Sequence, residues 1–283
     1  MTNKIPAPNE KQHAFWNGAM GELWVREQAF MDGMLRSFQT FLVSHAVSKR
    51  PDSVLDIGCG NGTTTIAIAE ALGRDARVVG VDISEPMIAN AQSSIPAGLD
   101  TVQFVAADAS AHNFRDQRFD LIISRFGAMF FSDPVQALSH LLGAAHPGAE
   151  TALVAWRSLD DNAFMAAGIR AAAAFPPTPP TPQPGAPGAF AFAEPAHVET
   201  VFTSAGWMKP SLEPADLPCT FPAADLDMFI ENLAPTRPDL GDLDPGLRNE
   251  VLAAVRSALE TFVDGDTVKM TARTWLIRAR API

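Results

Sequence analysis

The middle of the chain alternates short apolar runs with stretches of helical spacing. The apolar runs are Val54–Ile57, Val78–Val81, Val102–Ala106, Leu121–Ser124 and Thr151–Trp156. Between them, apolar positions recur at the three- and four-residue spacing of a helix in Thr64–Leu72, Pro86–Gln92 and Pro134–Ala145. This alternation is typical of a parallel sheet with helices on both faces. We therefore predict a Rossmann-like, doubly wound α/β core over residues 51–160.

Helical patterns flank this core on both sides. Residues 1–50 predict helices over His13–Met20, Gly21–Gly33 and Leu35–Val47. Residues 161–266 read as a helical insertion that would build the rest of the acceptor site or a subunit contact, with helices over Ala163–Phe175, Pro195–Ala205, Asp225–Leu233 and Leu247–Phe262. Within that insertion, Pro176–Pro187 is expected to be an exposed polyproline-type connector. Residues 267–283 would then supply the last core strand, with an irregularity inside Thr267–Ala279.

Carboxylates follow three successive apolar runs at a regular interval. Asp56, Asp82 and Asp108 follow one another at intervals of 26 residues, one strand–helix–strand step each time. Ligands of doubly wound sheets bind in the crevice outside the carboxyl ends of the strands. We therefore expect all three side chains to line one cleft.

The residues around these acids suit a ligand that contains adenosine. Gly58 and Gly60 allow the first strand to turn sharply and let a ligand approach the backbone. Asp82 lies where an acid reaches ribose hydroxyls, and Asp108 is placed to accept from an adenine amino group. Ile83 and Met87 would provide an apolar wall for the adenine ring.

The position of Asp56 favours a cationic ligand over a dinucleotide. It precedes the first glycine of a G-x-G-x-G turn by two residues, next to where a pyrophosphate would lie. Two unit charges about 4 Å apart interact by about 4 kcal/mol at an effective dielectric of about 20. That interaction is repulsive for a phosphate and attractive for an ammonium or sulfonium group. A nicotinamide-dependent oxidoreductase on the same fold is the alternative interpretation.

The motifs VLDIGCGNG, VVGVDIS and FVAADAS resemble those of class I S-adenosylmethionine-dependent methyltransferases. The resemblance covers Ser53–Trp156, and Thr267–Ala279 resembles the final, antiparallel strand of that fold. SRFGAMFF and the N-terminal FWNG and GELWVREQ segments are most similar to small-molecule members related to the quinone-biosynthesis C-methyltransferases. In those relatives the N-terminal helices form a lid.

This resemblance implies a set of cofactor contacts, with S-adenosylhomocysteine as the product. The methionine end would be held by Asp56, Gly58 and Gly60, and closed beneath by Ser124, Arg125 and Phe126. Asp82 would hold the ribose, and Asp108 with the Ala109 backbone the adenine. Independently of the resemblance, the ring faces of Trp16 and Trp24 are candidates for contact with the sulfonium, with helix packing as the default interpretation of either alone.

Residues for the chemical step are less distinct, because methyl transfer from a sulfonium depends mainly on proximity and a dry cleft. His13 is the first candidate base and Arg125 a candidate for orienting an acceptor oxygen, with surface and ion-pair roles as the alternatives. Phenolic catalysis is excluded, since the chain has no tyrosine. Phe126, Met129, Phe130 and Phe131 are candidates for an apolar acceptor pocket, although residues at such spacing are more often part of the core. Cys59 is interpreted as a small filler, and no cluster has metal-ligand spacing.

Charge and composition restrict the classes of binding partner and the compartment that we expect for this protein. The formal net charge of −11 lacks the basic surface that nucleic acid or an anionic membrane requires. Two cysteines and no apolar run of 18 residues indicate a cytoplasmic protein without a membrane span. The expectation is a methyltransferase acting on a small, partly apolar molecule at O, N or C. A non-catalytic cofactor-binding partner protein is a second alternative.

Overall fold

A computed structural model describes residues 9–114, 117–176, 185–234 and 240–283. The helices it contains are α1 (Glu10–Trp16), α2 (Ala19–Arg26), α3 (Gln28–Met34), α4 (Arg36–Lys49), α5 (Thr63–Leu72), α6 (Glu85–Ser93), α7 (Pro134–Leu142), α8 (Ala163–Ala173), α9 (Pro195–Ser204), α10 (Leu226–Asn232) and α11 (Pro245–Glu260). The strands are β1 (Ser53–Ile57), β2 (Arg77–Asp82), β3 (Val102–Ala106), β4 (Phe119–Arg125), β5 (Ala145–Trp156), β6 (Ser211–Pro214), β7 (Leu217–Pro222), β8 (Val263–Asp264), β9 (Thr267–Ala272) and β10 (Thr274–Arg278). Most of the proline-rich Pro176–Pro187 connector lies outside the described residues.

The main sheet has the strand order β3-β2-β1-β4-β5-β10-β6. Strands β1 to β5 pair in parallel, whereas β10 runs antiparallel to both β5 and β6. This confirms the predicted α/β class with its antiparallel last strand. The parallel register sets Asp82 beside Ala106 and Asp56 beside Gly80, so the acid-bearing strand ends meet at one edge of the sheet.

Helices cover both faces of this sheet, as the near-continuous apolar strands predict. On one face the core includes Phe119, Leu138 and Phe202, the last two from α7 and α9. On the other face Phe38 and Leu42 of α4 pack with residues of α5, α8 and α11. Phe38, Phe119 and Phe202 are completely buried.

The end of the chain differs from the prediction of one late strand over Thr267–Ala279. That segment forms two strands in different sheets: β10 joins the main sheet, and β9 lies between β7 and β8 in a three-stranded sheet. The predicted irregularity is Arg273, where the chain passes from one sheet to the other. Its N–H donates to the side chain of Asn162, at the start of the insertion.

Strands β6 and β7 were not predicted, and their composition explains why. Each is at the edge of its sheet and carries proline, Pro214 in β6 and Pro218 and Pro222 in β7. Proline lacks the N–H of a central strand and is tolerated at edges. The predicted insertion thus contributes one strand, β6, to the main sheet itself.

Candidate active site

The ends of the parallel strands open into a cavity of about 430 Å³, the main cavity. Asp82 and Asp108 both line it. A smaller space of about 60 Å³, the side cavity, shares the walls formed by Gly58 and Gly60 and is lined by Asp56. The three strand-end acids thus lie around two adjoining cavities rather than one cleft.

The glycine loop, residues Gly58–Gly62 after β1, is hydrogen-bonded to Asp82 at the end of β2. Its carboxylate accepts the N–H of Gly60 and the N–H of Ser84, both at 2.8 Å. Burial raises the pKa of Asp82, although these backbone donors stabilise its charged form and offset part of the rise.

Gly58, at the start of the same loop, has an unusual backbone conformation and is closely packed. Its φ of +64° lies in the left-handed region, and a Cβ there would sit 2.7 Å from the Cα of Gly127. Only glycine permits both that conformation and this approach of two chain segments. The loops after β1 and β4 are therefore in backbone contact at the floor of the cavities.

Asp108 is hydrogen-bonded to Asn9, which the sequence analysis did not identify as part of the site. The Asn9 amide donates to both of its carboxylate oxygens, at 3.0 and 2.9 Å, and Ser110 adds two hydrogen bonds to Oδ1. The Asn9 oxygen accepts the N–H of Ser132 at 2.6 Å. Asn9 therefore connects α1 to the loops after β3 and β4.

Asp56 is almost completely buried beside the glycine loop, with 1% of its surface exposed. Its hydrogen-bond donor is the hydroxyl of Thr65, at 2.6 Å. Burial raises the pKa of Asp56 to about 7, against the opposing effects of this hydrogen bond and of the Arg125 charge. The site thus holds a carboxyl group that is ready to ionise when a cation approaches.

Most of the predicted contact residues do border the cavities. Lining the main cavity are Trp16, Gly58, Gly60, Asp82, Ile83, Met87, Asp108, Ala109, Arg125 and Phe126. The predicted acceptor-pocket residues Met129, Phe130 and Phe131 line it as well, and so does Trp24.

Ser124 and His13 are placed elsewhere. Ser124 is fully buried behind the wall, where its hydroxyl donates to the carbonyl of Ile57 and accepts the N–H groups of Gly127 and Ala128. It holds the turn after β4 and lines neither cavity. His13 lies on the exposed side of α1 and likewise borders neither space.

Phe126 forms a strained corner between the two cavities. Its φ of +65° is rare for a bulky residue, and its ring stacks on Trp156 with centroids 4.6 Å apart. Backbone strain of this kind persists only where the surroundings fix it, and it concentrates at functional sites. Packing with Phe38 at 5.0 Å supplies part of that restraint.

The far wall of the main cavity comes in part from residues 161–266, the insertion that was expected to build the rest of the acceptor site or a subunit contact. It is apolar and contains Met31, Met34, Leu35, Trp156, Phe164, Met165, Phe229, Leu233 and Met270. These side chains lie in or directly after α3, α8 and α10, at the end of β5 and in β9, so the insertion and the second sheet complete the chamber. Their spacing in the sequence is that of ordinary core positions, which gave no separate signal.

A membrane span and a metal centre are both absent from the part of the chain that the structure describes. No helix there is both long and apolar enough to cross a membrane. No group of three or more histidine, cysteine, aspartate and glutamate side chains there is arranged to hold a metal ion. Cys59 packs against Ile88, Ala91 and Phe104, in line with its interpretation as a filler.

Sequence comparison places the core among methyltransferases. Residues 54–148 match the methyltransferase domain family. A demethylmenaquinone methyltransferase of Shouchella clausii is 35% identical over 97 residues, which is 34% of this chain and 41% of that protein. The chain spans about half the length of the curated relatives it matches.

Solved structures with the same fold cover much more of the chain. The YcgJ protein of Bacillus subtilis aligns with a TM-score of 0.57 at 18% identity, over 87% of this chain and 98% of that one. Magnesium protoporphyrin IX methyltransferase of Synechocystis, solved with bound S-adenosylhomocysteine, aligns with a TM-score of 0.54 at 19% identity, over 74% of this chain and 92% of that one. Motifs, strand order and family match agree, and the segment 54–148 is a class I methyltransferase domain.

Proposed function

We propose that this protein transfers a methyl group from S-adenosylmethionine to a small, partly apolar acceptor. The observation that carries the proposal is the main cavity, which joins Asp82 and Asp108 to an apolar chamber. An adenosine-bearing cofactor and an apolar acceptor then share one enclosed space, as direct transfer between them requires.

The side chains around the main cavity fit the adenosine part of this cofactor. Asp82 presents two carboxylate oxygens, suited to a pair of ribose hydroxyls. Asp108 Oδ2 accepts one hydrogen bond, from Asn9, and retains a lone pair for an adenine amino group. Ile83 and Met87 border the same space as apolar walls.

The sulfonium of the bound cofactor supplies an activated methyl group. The protein's part is to position the acceptor and to exclude water. Trp16 lies at the centre of an aromatic group, with ring centroids 5.0 Å from Phe15, 5.9 Å from Trp24 and 5.4 Å from Phe130. All four rings line the main cavity and would keep the reacting region dry.

Helices α1 to α3 are proposed to act as the lid over the cofactor. Asn17 donates to the carbonyl of Ile83 and accepts the N–H of Glu85, and the hydroxyl of Ser84 donates to the carbonyl of Trp16. With Asn9 on Asp108, these bonds attach the helices directly to the adenosine-binding loops.

The acceptor is proposed to be a neutral or cationic small molecule rather than a nucleic acid. The net charge of −11 opposes a polyanion, and the far wall of the main cavity is apolar. The name of the Shouchella relative, a demethylmenaquinone methyltransferase, supports a small acceptor. The buried, unpaired Cys59 and Cys219 support a reducing compartment such as the cytoplasm.

Calorimetric titration with S-adenosylmethionine, S-adenosylhomocysteine and a reduced nicotinamide dinucleotide tests the cofactor assignment. We expect micromolar dissociation constants for the two adenosyl-sulfur ligands and no heat from the dinucleotide. The reverse pattern would replace the proposal with an oxidoreductase. Binding of S-adenosylmethionine without turnover on a panel of apolar O, N and C acceptors would instead favour a non-catalytic partner protein.

A further inference from the structure

The main cavity is lined by a large share of the chain's methionines. Seven of its lining residues are methionine, and the whole chain has ten. Leucine, isoleucine and valine together supply five of the described lining residues, although the chain has 52 of them. Any of these side chains would make an apolar wall, so apolarity alone does not account for the concentration of methionine here.

Methionine differs from the branched aliphatic residues in two respects that matter to a ligand. Its thioether sulfur is polarisable and contacts aromatic rings favourably, at a separation of about 5 Å. Its unbranched side chain has three rotatable bonds and adapts its shape to its neighbours. Met31, Met34, Met165 and Met270 bring these properties to the far wall. They therefore favour an aromatic occupant whose outline the wall can follow.

The aromatic side chains of the far wall are held in position by neighbouring rings. Phe164 and Phe229 have ring centroids 5.6 Å apart, and both contact the buried Phe221, at 6.4 and 5.0 Å. Trp156 is held by its stack on Phe126. Rings at these separations attract one another. The wall therefore presents aromatic groups that need little ordering when a ligand binds, which favours affinity.

The far wall offers very little to a charged or strongly polar group. Among its described side chains, the indole N–H of Trp156 is the only strong hydrogen-bond donor, and none carries a charge. A polar group buried there without a partner would cost free energy. The polar lining residues Asn9, Gln12 and Arg125 lie outside this wall. The part of the acceptor that lies against the far wall is therefore apolar.

Adaptable thioethers and fixed rings without polar partners suit one class of ligand. We propose that the far wall binds a flat aromatic ring system, so that the methyl acceptor is a neutral aromatic compound rather than an aliphatic one. Ring and thioether contacts hold it, with no hydrogen bond to its far end. This inference rests on the proposed function, because it names the class of acceptor for the same reaction.

Two alcohols with the same carbon skeleton separate ring contacts from the hydrophobic effect. 2-Naphthol is flat and aromatic, whereas decahydro-2-naphthol is its saturated counterpart with the larger apolar surface. Burial of apolar surface alone would favour the saturated alcohol. We expect 2-naphthol to bind at least about tenfold more tightly, through several ring and thioether contacts. Calorimetric titration of each alcohol into protein saturated with S-adenosylhomocysteine measures binding without turnover.

The variants Met165→Leu and Met270→Leu test whether the far wall is responsible. Each removes a sulfur while nearly keeping the side-chain volume, so the fold should be retained. Each should lower the preference for 2-naphthol by about twofold, and the double variant by about fourfold, with S-adenosylhomocysteine affinity unchanged. Met208→Leu is the matched control, since Met208 is 54% exposed and lines neither cavity. It should leave the preference unchanged.

The outcomes for the alcohols and for the cofactor product are separable. Equal affinities, a preference for the saturated alcohol, or no binding of either would overturn the aromatic assignment and leave the cofactor assignment standing. A preference that survives unchanged in the double variant would also overturn it, because the ring would then be bound elsewhere. Failure of the wild type to bind S-adenosylhomocysteine would remove the proposed function and this inference with it.

Discussion

Two buried carboxyl groups in the main sheet have opposite electrostatic surroundings. Glu150, on β5 near the start of the parallel strands, is bonded to His45 and Lys49 at 2.9 Å and lies 3.4 Å from Arg280. Burial by itself would raise the pKa of Glu150, but the hydrogen bonds and charges of Lys49 and His45 outweigh it and lower the pKa. Asp56, near the strand ends, has a neutral hydroxyl as its hydrogen-bond donor, and burial raises its pKa to about 7.

The two carboxyl groups differ in what compensates for the cost of burying them. The protein itself neutralises Glu150, which stabilises the fold. At Asp56 and Asp82 much of the cost of burial is left in the folded protein, and a ligand with positive charge or hydroxyl donors offsets it. Perturbed carboxyl groups in a cavity are typical of functional sites, and stability is commonly lower there in exchange.

Replacing Glu150 should have the largest effect on stability. Glu150→Gln keeps the shape but removes the charge that pairs with the partly exposed Lys49 and Arg280, and we expect the free energy of unfolding to fall by about 2 kcal/mol at neutral pH. A lowered carboxyl pKa contributes stability above its ordinary value, so the deficit should vanish as the pH falls through the pKa in the folded protein. Chemical denaturation at several pH values measures both.

The exposed pair of Lys269 and Asp264 is the control for this prediction. Asp264→Asn should leave the free energy of unfolding nearly unchanged, since water screens exposed ion pairs. A loss at Glu150 as small as that at Asp264 would contradict the comparison.

Replacing Asp82 should mainly weaken the binding of the ligand. Asp82→Ala removes the proposed ribose acceptor, and we expect S-adenosylhomocysteine binding to weaken by about 1.5–3 kcal/mol. Calorimetry on protein shown to be folded by circular dichroism tests this. Asp82→Asn, which preserves an acceptor for one loop N–H, guards against local unfolding; unchanged affinity in both variants would refute the ribose assignment.

Asp56→Asn should act on stability in the direction opposite to Glu150→Gln. A carboxyl whose pKa is raised by folding costs stability above its ordinary pKa, so the variant should be more stable without ligand at pH 8, by more than about 1 kcal/mol. The gain should grow from about pH 4 to about pH 7 and then level off. Urea denaturation across that range is the measurement, and a variant less stable than the wild type would contradict it.

The smallest expected effect is a proton released on cofactor binding. Because burial raises the pKa of Asp56 to about 7, a cationic ligand must displace a proton from part of the molecules at pH 6.5. Affinity should therefore rise with pH by up to about tenfold per unit below pH 7 and be constant above it. Calorimetry in buffers of different ionisation enthalpy counts the proton, and Asp56→Asn should abolish its release.

The sequence was sufficient to predict the positions of the parallel strands and the acids at their ends. Apolar runs fixed the position of β1 to β5, and the register of a parallel sheet then required their terminal acids to meet. Asp82 and Asp108 accordingly lie in one cavity, and Asp56 in the space beside it.

Contacts made by other segments had no comparable signal. Asn9 and Asp32 reach the site because of the way α1 and α3 pack, and packing angles leave no pattern in a short helix. The orientation of Ser124 was also beyond prediction: β4 is buried on both faces, so alternation does not show which side chains face the ligand. The edge strands β6 and β7 were not predicted because they contain proline, which is uncommon inside a strand.

The absence of tyrosine has a practical optical consequence. All ultraviolet fluorescence of the folded chain above the weak phenylalanine contribution must come from its five tryptophans. Trp16, Trp24 and Trp156 line the main cavity, whereas Trp207 and Trp275 are held elsewhere by hydrogen bonds to the carbonyls of Leu138 and Ala193. The protein therefore contains its own probes at the site and its own reference away from it, so unlabelled ligands can be titrated by emission alone.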